Sequence, residues 1–144
     1  VSHVRAQLRA AVVAALASVA ASVMQTRTYS VSDDDLPAVL VFTNAEDVTG
    51  QTINANPTIE REVRLTIQIL GHASTNLDEQ LDDLAVAVEK ALAAGVLVGG
   101  ATVSLAYQGA EWEWDSPDVP RGAMTMTWIG KIYSAAGSPD VLGM

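Results

Sequence analysis

Between residues 59 and 70 the chain alternates: Val63, Leu65, Ile67 and Ile69 stand against Glu62, Arg64, Thr66 and Gln68. A period of two puts the apolar four on one side of a β-strand, so the fold must supply a layer that covers them. Two segments have the matching helical period. In residues 2–23, Val4, Leu8, Val12, Leu16, Val19 and Val23 recur at steps of three and four, with Ser2 placed as N-cap, which predicts a helix lying across a sheet. After Gly71, Thr75 with Asp78, or Asn76 with Glu79, offers a capping box for a second helix. Its stripe is Leu77, Leu81, Leu84, Val88 and Leu92, and Gly95 is its stop. Its exposed face is acidic, with Asp78, Glu79, Asp82, Asp83 and Glu89 against Lys90.

The remaining strands follow from shorter signals. Residues 26–31 are β-branched and aromatic and lead into a Ser32-Asp33-Asp34-Asp35 turn, and a strand over 38–43 begins beside Pro37. Residues 44–58 are Asn, Thr, Gly and acid with Pro57 and no apolar period, which predicts a long loop, mobile in a free subunit and ordered against a partner. Beyond Gly99 and Gly100, Val103, Leu105 and Tyr107 share one parity and Trp112 and Trp114 the other. A β-bulge near Gly109 would bring them to one side; otherwise the Trp pair faces outward. Residues 123–133 alternate as the partner strand of a final hairpin. The sum is an α+β fold: two amphipathic helices packed on one face of a mostly antiparallel sheet of about five strands. It reads as a single domain over residues 1–134, with 135–144 a loose C-terminal tail.

Charge narrows the function. The chain carries −9, yet residues 1–27 hold Arg5, Arg9 and Arg27 and no acid, so the rest is at −12. Such a surface repels phosphate and anionic lipid, which argues against DNA binding and membrane docking. Arg5 and Arg9 ahead of an Ala-rich run imitate a secretory signal, but a signal core has no need of the apolar stripe found there. With no Cys, the sequence has neither thiolate metal sites nor cysteine nucleophiles.

No constellation of residues predicts catalysis, and none predicts a cofactor or metal. Asp33, Asp34 and Asp35 lack the staggered spacing of a calcium loop and read as a solvated turn. Glu111, Glu113 and Asp115 could pair for hydrolysis, but they read as the wet side of a strand. His3 and His72 are far apart, with no second ligand at metal-binding spacing. Trp112, Trp114 and Trp128 read as core residues or, for the pair on the terminal hairpin, as a docking anchor. The candidate partner-binding residues are therefore Asp33, Asp34, Asp35, Glu46, Asp47, Thr49, Gln51, Asn54, Trp112 and Trp114.

Four segments carry a family likeness: VRAQLRAAVVAAL from Val4, DDDLPAVLVFTNAEDV from Asp33, REVRLTIQILGHASTNLDEQLDDLAVAVEKAL from Arg61, and AMTMTWIGKIY from Ala123. In this order they resemble the tail terminator, or tail completion, proteins of long-tailed phages, the lambda-like minor tail protein U group. The resemblance implies a non-enzymatic virion protein, assembled in the host cytoplasm. It would form a hexameric ring on the head-proximal end of the tail tube, stop tube polymerisation and join tail to neck. Its implied partners are its own copies, the tail tube protein and a neck or head-completion protein, with DNA passing through an acidic channel without specific binding and no membrane involved. Another neck or head-completion connector of the head-tail interface would share every compositional argument.

Overall fold

The computed structural model describes residues 3–20, 22–25, 37–53, 57–72, 76–114 and 121–142. The elements run α1 (Val4–Ala15), β1 (Ser22–Met24), β2 (Ala38–Gln51), β3 (Thr58–His72), α2 (Leu77–Leu92), β4 (Val96–Val98), β5 (Ala101–Val103), β6 (Leu105–Trp114), β7 (Arg121–Ala135) and β8 (Ser138–Leu142). Six strands form one sheet in the order β1-β2-β3-β7-β6, with β8 added on β7; β4 and β5 form a separate hairpin. The sheet is mixed, because β1 runs parallel to β2 while every other pairing is antiparallel. The expected count of about five was low because β1, β4, β5 and β8 are three to five residues long, too short for a period to show.

The alternating segment is the central strand. β3 pairs with β2 on one edge and β7 on the other, and Val63, Leu65, Ile67 and Ile69 are fully buried. Both helices cover that side. A Cβ on Gly71 would lie 2.9 Å from Leu81, and one on Gly130, the cross-strand partner of Val63, would lie 3.4 Å from Leu8. Val4, Leu8 and Val12 of α1 join Leu81, Val88 and Leu92 of α2, together with Met124, Met126 and Trp128 of β7, in one apolar core.

Five local expectations are corrected. The first helix ends at Ala15 rather than near residue 23, although Val19 and Val23 still pack on the core, from a turn and from β1. It is capped by His3, whose Nδ1 accepts the Arg5 N–H at 3.2 Å; Ser2 lies outside the described residues. Asn76 precedes α2 in the left-handed region (φ 58°) and makes no side-chain cap, so the Asn76–Glu79 capping box does not form; Thr75 lies outside the described residues. Helix 2 does stop as read, with Gly95 at φ +81° donating its N–H to Leu92 O.

The long loop is the largest correction, for residues 44–51 continue β2 and only 52–57 connect it to β3. Register shifts between Thr43 and Ala45 and between Val48 and Gly50 break the alternation twice, so Thr43, Glu46, Val48 and Gln51 share the core side at steps of three, two and three. A strand with two bulges has no visible period. The final residues are not a loose tail either: Ser138–Leu142 is β8, Gln7 Nε2 donates to Asp140 O at 2.9 Å, and Leu142 packs over Gly99. The strand predicted over 26–31 and the Asp33-Asp34-Asp35 turn lie outside the described residues.

Leu65→Ala should lower unfolding free energy by about 2–5 kcal/mol, the range for emptying a close-packed site. Val86→Ala, at an exposed position of α2, should change it by less than about 0.5 kcal/mol. Urea denaturation of both variants checks the contrast.

Candidate functional site

Surface chemistry is concentrated at the two edges of the sheet. At the β2 edge, the core-side position of Glu46 brings its carboxylate between two arginines. Arg61 Nη1 donates to Glu46 Oε2 at 2.9 Å, and Arg5 Nη1 donates to both carboxylate oxygens at 3.2 and 3.3 Å. Arg61 also donates through Nε to Ser134 Oγ at 2.9 Å, and Arg9 through Nη1 to Thr43 Oγ1 at 2.6 Å. Two guanidinium groups thus share the Glu46 carboxylate, and a third, that of Arg9, is held by the neighbouring Thr43 hydroxyl. Burial, and then the charge of Arg5, pull the Arg9 pKa down. His3 is also pulled down, first by burial and then by Arg5 and Arg61, which favours the neutral ring that accepts the Arg5 N–H.

The β6 edge carries aromatics beside acid. The register shift between Tyr107 and Gly109 forms the expected bulge, after which Tyr107 opposes Trp128 and Trp112 opposes Met124. Both therefore lie on the helix side of the sheet, as the one-residue shift predicts. Trp128 is buried, and its Nε1–H finds no acceptor among the described residues. Its ring meets Tyr107 at 5.1 Å with a 40° tilt. Tyr107 and Trp112 remain 41% and 47% exposed because no described element covers β6 on its outer side. Burial, and then the Glu89 carboxylate, push the Tyr107 hydroxyl pKa up.

The side of the sheet facing away from the helices bears a groove of about 550 Å³ lined by Phe42, Arg64, Thr66, Glu111, Thr125 and Thr127. Glu111 and Glu113 are solvent-exposed on β6, and Asp115 lies outside the described residues. No group of three or more His, Cys, Asp or Glu side chains suited to a metal occurs among the described residues. No described helix is long and apolar enough to cross a membrane.

The candidate partner residues do not form one site. Asp47, Thr49 and Gln51 are exposed along the bulged half of β2, whereas Glu46 is held internally by Arg5 and Arg61. Trp112 is exposed at the opposite edge, and Trp114 extends the same strand, its backbone opposite Gly122. Asp33, Asp34, Asp35 and Asn54 lie outside the described residues. The Arg5–Glu46–Arg61 cluster was not visible in sequence, since it joins positions 41 and 15 residues apart through a bulge.

Arg61 retains only 12% side-chain exposure, so Glu46→Gln should cost about 1–3 kcal/mol by leaving a desolvated cation without its counter-ion. Arg5→Ala, at 41% exposure, should cost less than about 1 kcal/mol. Reversal of that order in denaturant titrations would refute the assignment. Because the folded His3 pKa lies below the unfolded value, the unfolded chain binds more protons there as pH falls. Stability should therefore decline on acidification below about pH 6.5, and His3→Asn should remove that part of the slope.

Comparison with known proteins places these features in a family context. A chain from the "Virion of native gene transfer agent (GTA) particle" superposes with a TM-score of 0.50 at 16% identity, covering 92% of each chain, a likeness of fold. No curated protein matches the sequence. The family model for phage minor tail protein U matches residues 3–129, almost the whole described fold. The chain therefore belongs to the phage minor tail protein U family, whose members are structural proteins of phage tails.

Proposed function

We propose that the protein caps the head-proximal end of the phage tail tube as a hexameric ring, stops tube polymerisation and joins the tail to the neck. The family match over residues 3–129 carries this reading. The geometry supports it: the most prominent polar and aromatic features lie at two unlike edges of one sheet, as a subunit joined head to tail requires. Head-to-tail contacts between unlike surfaces close into a ring when the rotation between subunits allows it. The DNA channel in this reading is acidic, so that a duplex slides without adhering. Asp33, Asp34, Asp35 and Asp47 are its candidate lining, and Glu46 is not, being held between two arginines.

Tails assembled without this protein should grow beyond normal length and fail to join heads, and adding the purified chain should restore both. Negative-stain images of such tails, together with the copy number per particle, test this. Normal tails in its absence, a single copy per virion, or a location on the head side of the joint would sink it. Trp112→Ala should leave the circular dichroism spectrum unchanged while weakening docking roughly thirty-fold, the loss expected for an aromatic anchor. Undiminished tail completion by that variant would remove Trp112 from the interface.

A further inference from the structure

The two charged regions of this subunit are complementary and lie at opposite edges of the same layer. At the β2 edge, Arg5 and Arg61 share one carboxylate, Glu46, and Arg9 bonds the Thr43 hydroxyl, so among the described residues the cluster holds three arginines to one acid. On α2, steps of four and seven put Asp78, Asp82 and Glu89 in one row. All three are exposed, and none forms an ion pair among the described residues. The row is carried by α2, which packs on β3 and β7, and β7 is the strand paired with β6. β3 and β7 separate β2 from β6, about 14 Å of sheet at 4.8 Å per strand. The arginines of α1 turn toward Thr43 and Glu46 and not toward α2, so the two surfaces do not neutralise each other within one chain.

We propose that the acidic row Asp78, Asp82 and Glu89 of one subunit docks on Arg5 and Arg9 of a second copy, joining the β6 side of the sheet to the β2 edge head to tail. The proposal rests on the ring reading above and assigns its subunit contact. Tyr107 and Trp112 border the same edge and give an incoming guanidinium a ring face on which to stack, which adds to the attraction of the carboxylates. The partner is another copy rather than a nucleic acid or lipid surface, because each charged patch finds its complement on the same chain.

The test is charge reversal in the full chain, read by native mass spectrometry and by negative stain with and without unterminated tail tubes. Asp78→Lys/Asp82→Lys/Glu89→Lys changes only solvent-exposed positions and should fold normally by circular dichroism, yet its self-association should fall at least tenfold. Arg5→Glu/Arg9→Glu should fall similarly. An equimolar mixture of the two should regain assembly with equal numbers of each variant, since every junction then pairs opposite charges. Wild-type assembly should weaken as salt rises. Rings formed by the acid-reversed chain as readily as by wild type, or a mixture that stays unassembled, would overturn this contact while leaving the ring intact. A wild-type chain that forms no ring even on tube ends would overturn both readings. Should Arg5→Glu/Arg9→Glu misfold, the acid-reversed chain and the salt series decide the matter without it.

Discussion

Val63, Leu65, Ile67 and Ile69 are buried on one side of a strand that is hydrogen-bonded along both edges, and this fixes where the rest of the chain can go. A fully paired central strand cannot slip by one residue without turning all four side chains from the core to the opposite face. The helices must then lie on that side, and each does so by filling a gap above a glycine: α2 over Gly71 and α1 over Gly130. On the opposite side, Arg64, Thr66, Thr125 and Thr127 line an open groove.

Electrostatics then fastens the less apolar half of the sheet. Past Val41, β2 offers the core side Thr43, Glu46 and Val48, too little apolar surface to hold the strand by burial. Hydrogen bonds from α1 and β3 do the fastening instead: Arg9 to Thr43, with Arg5 and Arg61 converging on Glu46. Arg61 is further tied to Ser134, so one cluster links α1, β2, β3 and β7. Arg5, Arg9 and Arg61 outnumber the one carboxylate they meet among the described residues, Glu46. That is a reason for such a patch to seek carboxylates elsewhere.

The parts of this fold that were legible in the sequence are those with an unbroken period. The stripe through Leu81, Val88 and Leu92, the alternation in β3 and the Met124, Met126 and Trp128 face of β7 all became core. The bulge at Gly109 was legible for a related reason, because two apolar parities met at a glycine able to take φ +145°. By contrast, the bulged half of β2 hid its pairing, since its partner strand supplies the regularity and its own core-side residues other than Val48 are polar. β8 was hidden by its length and by Pro139, which sits on an edge strand where a missing N–H is tolerated. Among the candidate partner residues, exposure at Asp47, Thr49, Gln51 and Trp112 follows from strand position, while the engagement of Glu46 depended on contacts 15 and 41 residues away.

Free sheet edges normally invite indiscriminate pairing, and the two edges here carry the features that suppress it. β6 presents Glu111 and Glu113 to solvent and kinks at Gly109, and the distal half of β2 bears Asp47 and two register shifts. Strand addition at either edge would have to bury or approach these acids, so backbone pairing is a poor way for copies of this chain to join. Contacts through side-chain charge are available on the helix side of the sheet, where the acidic row of α2 and the arginines of α1 differ in sign. An assembly held this way accepts only the unlike edge of the next copy, because acid row against acid row and arginine cluster against arginine cluster both repel. Directionality, which a closed head-to-tail ring requires, follows from where the charges sit and needs no additional surface.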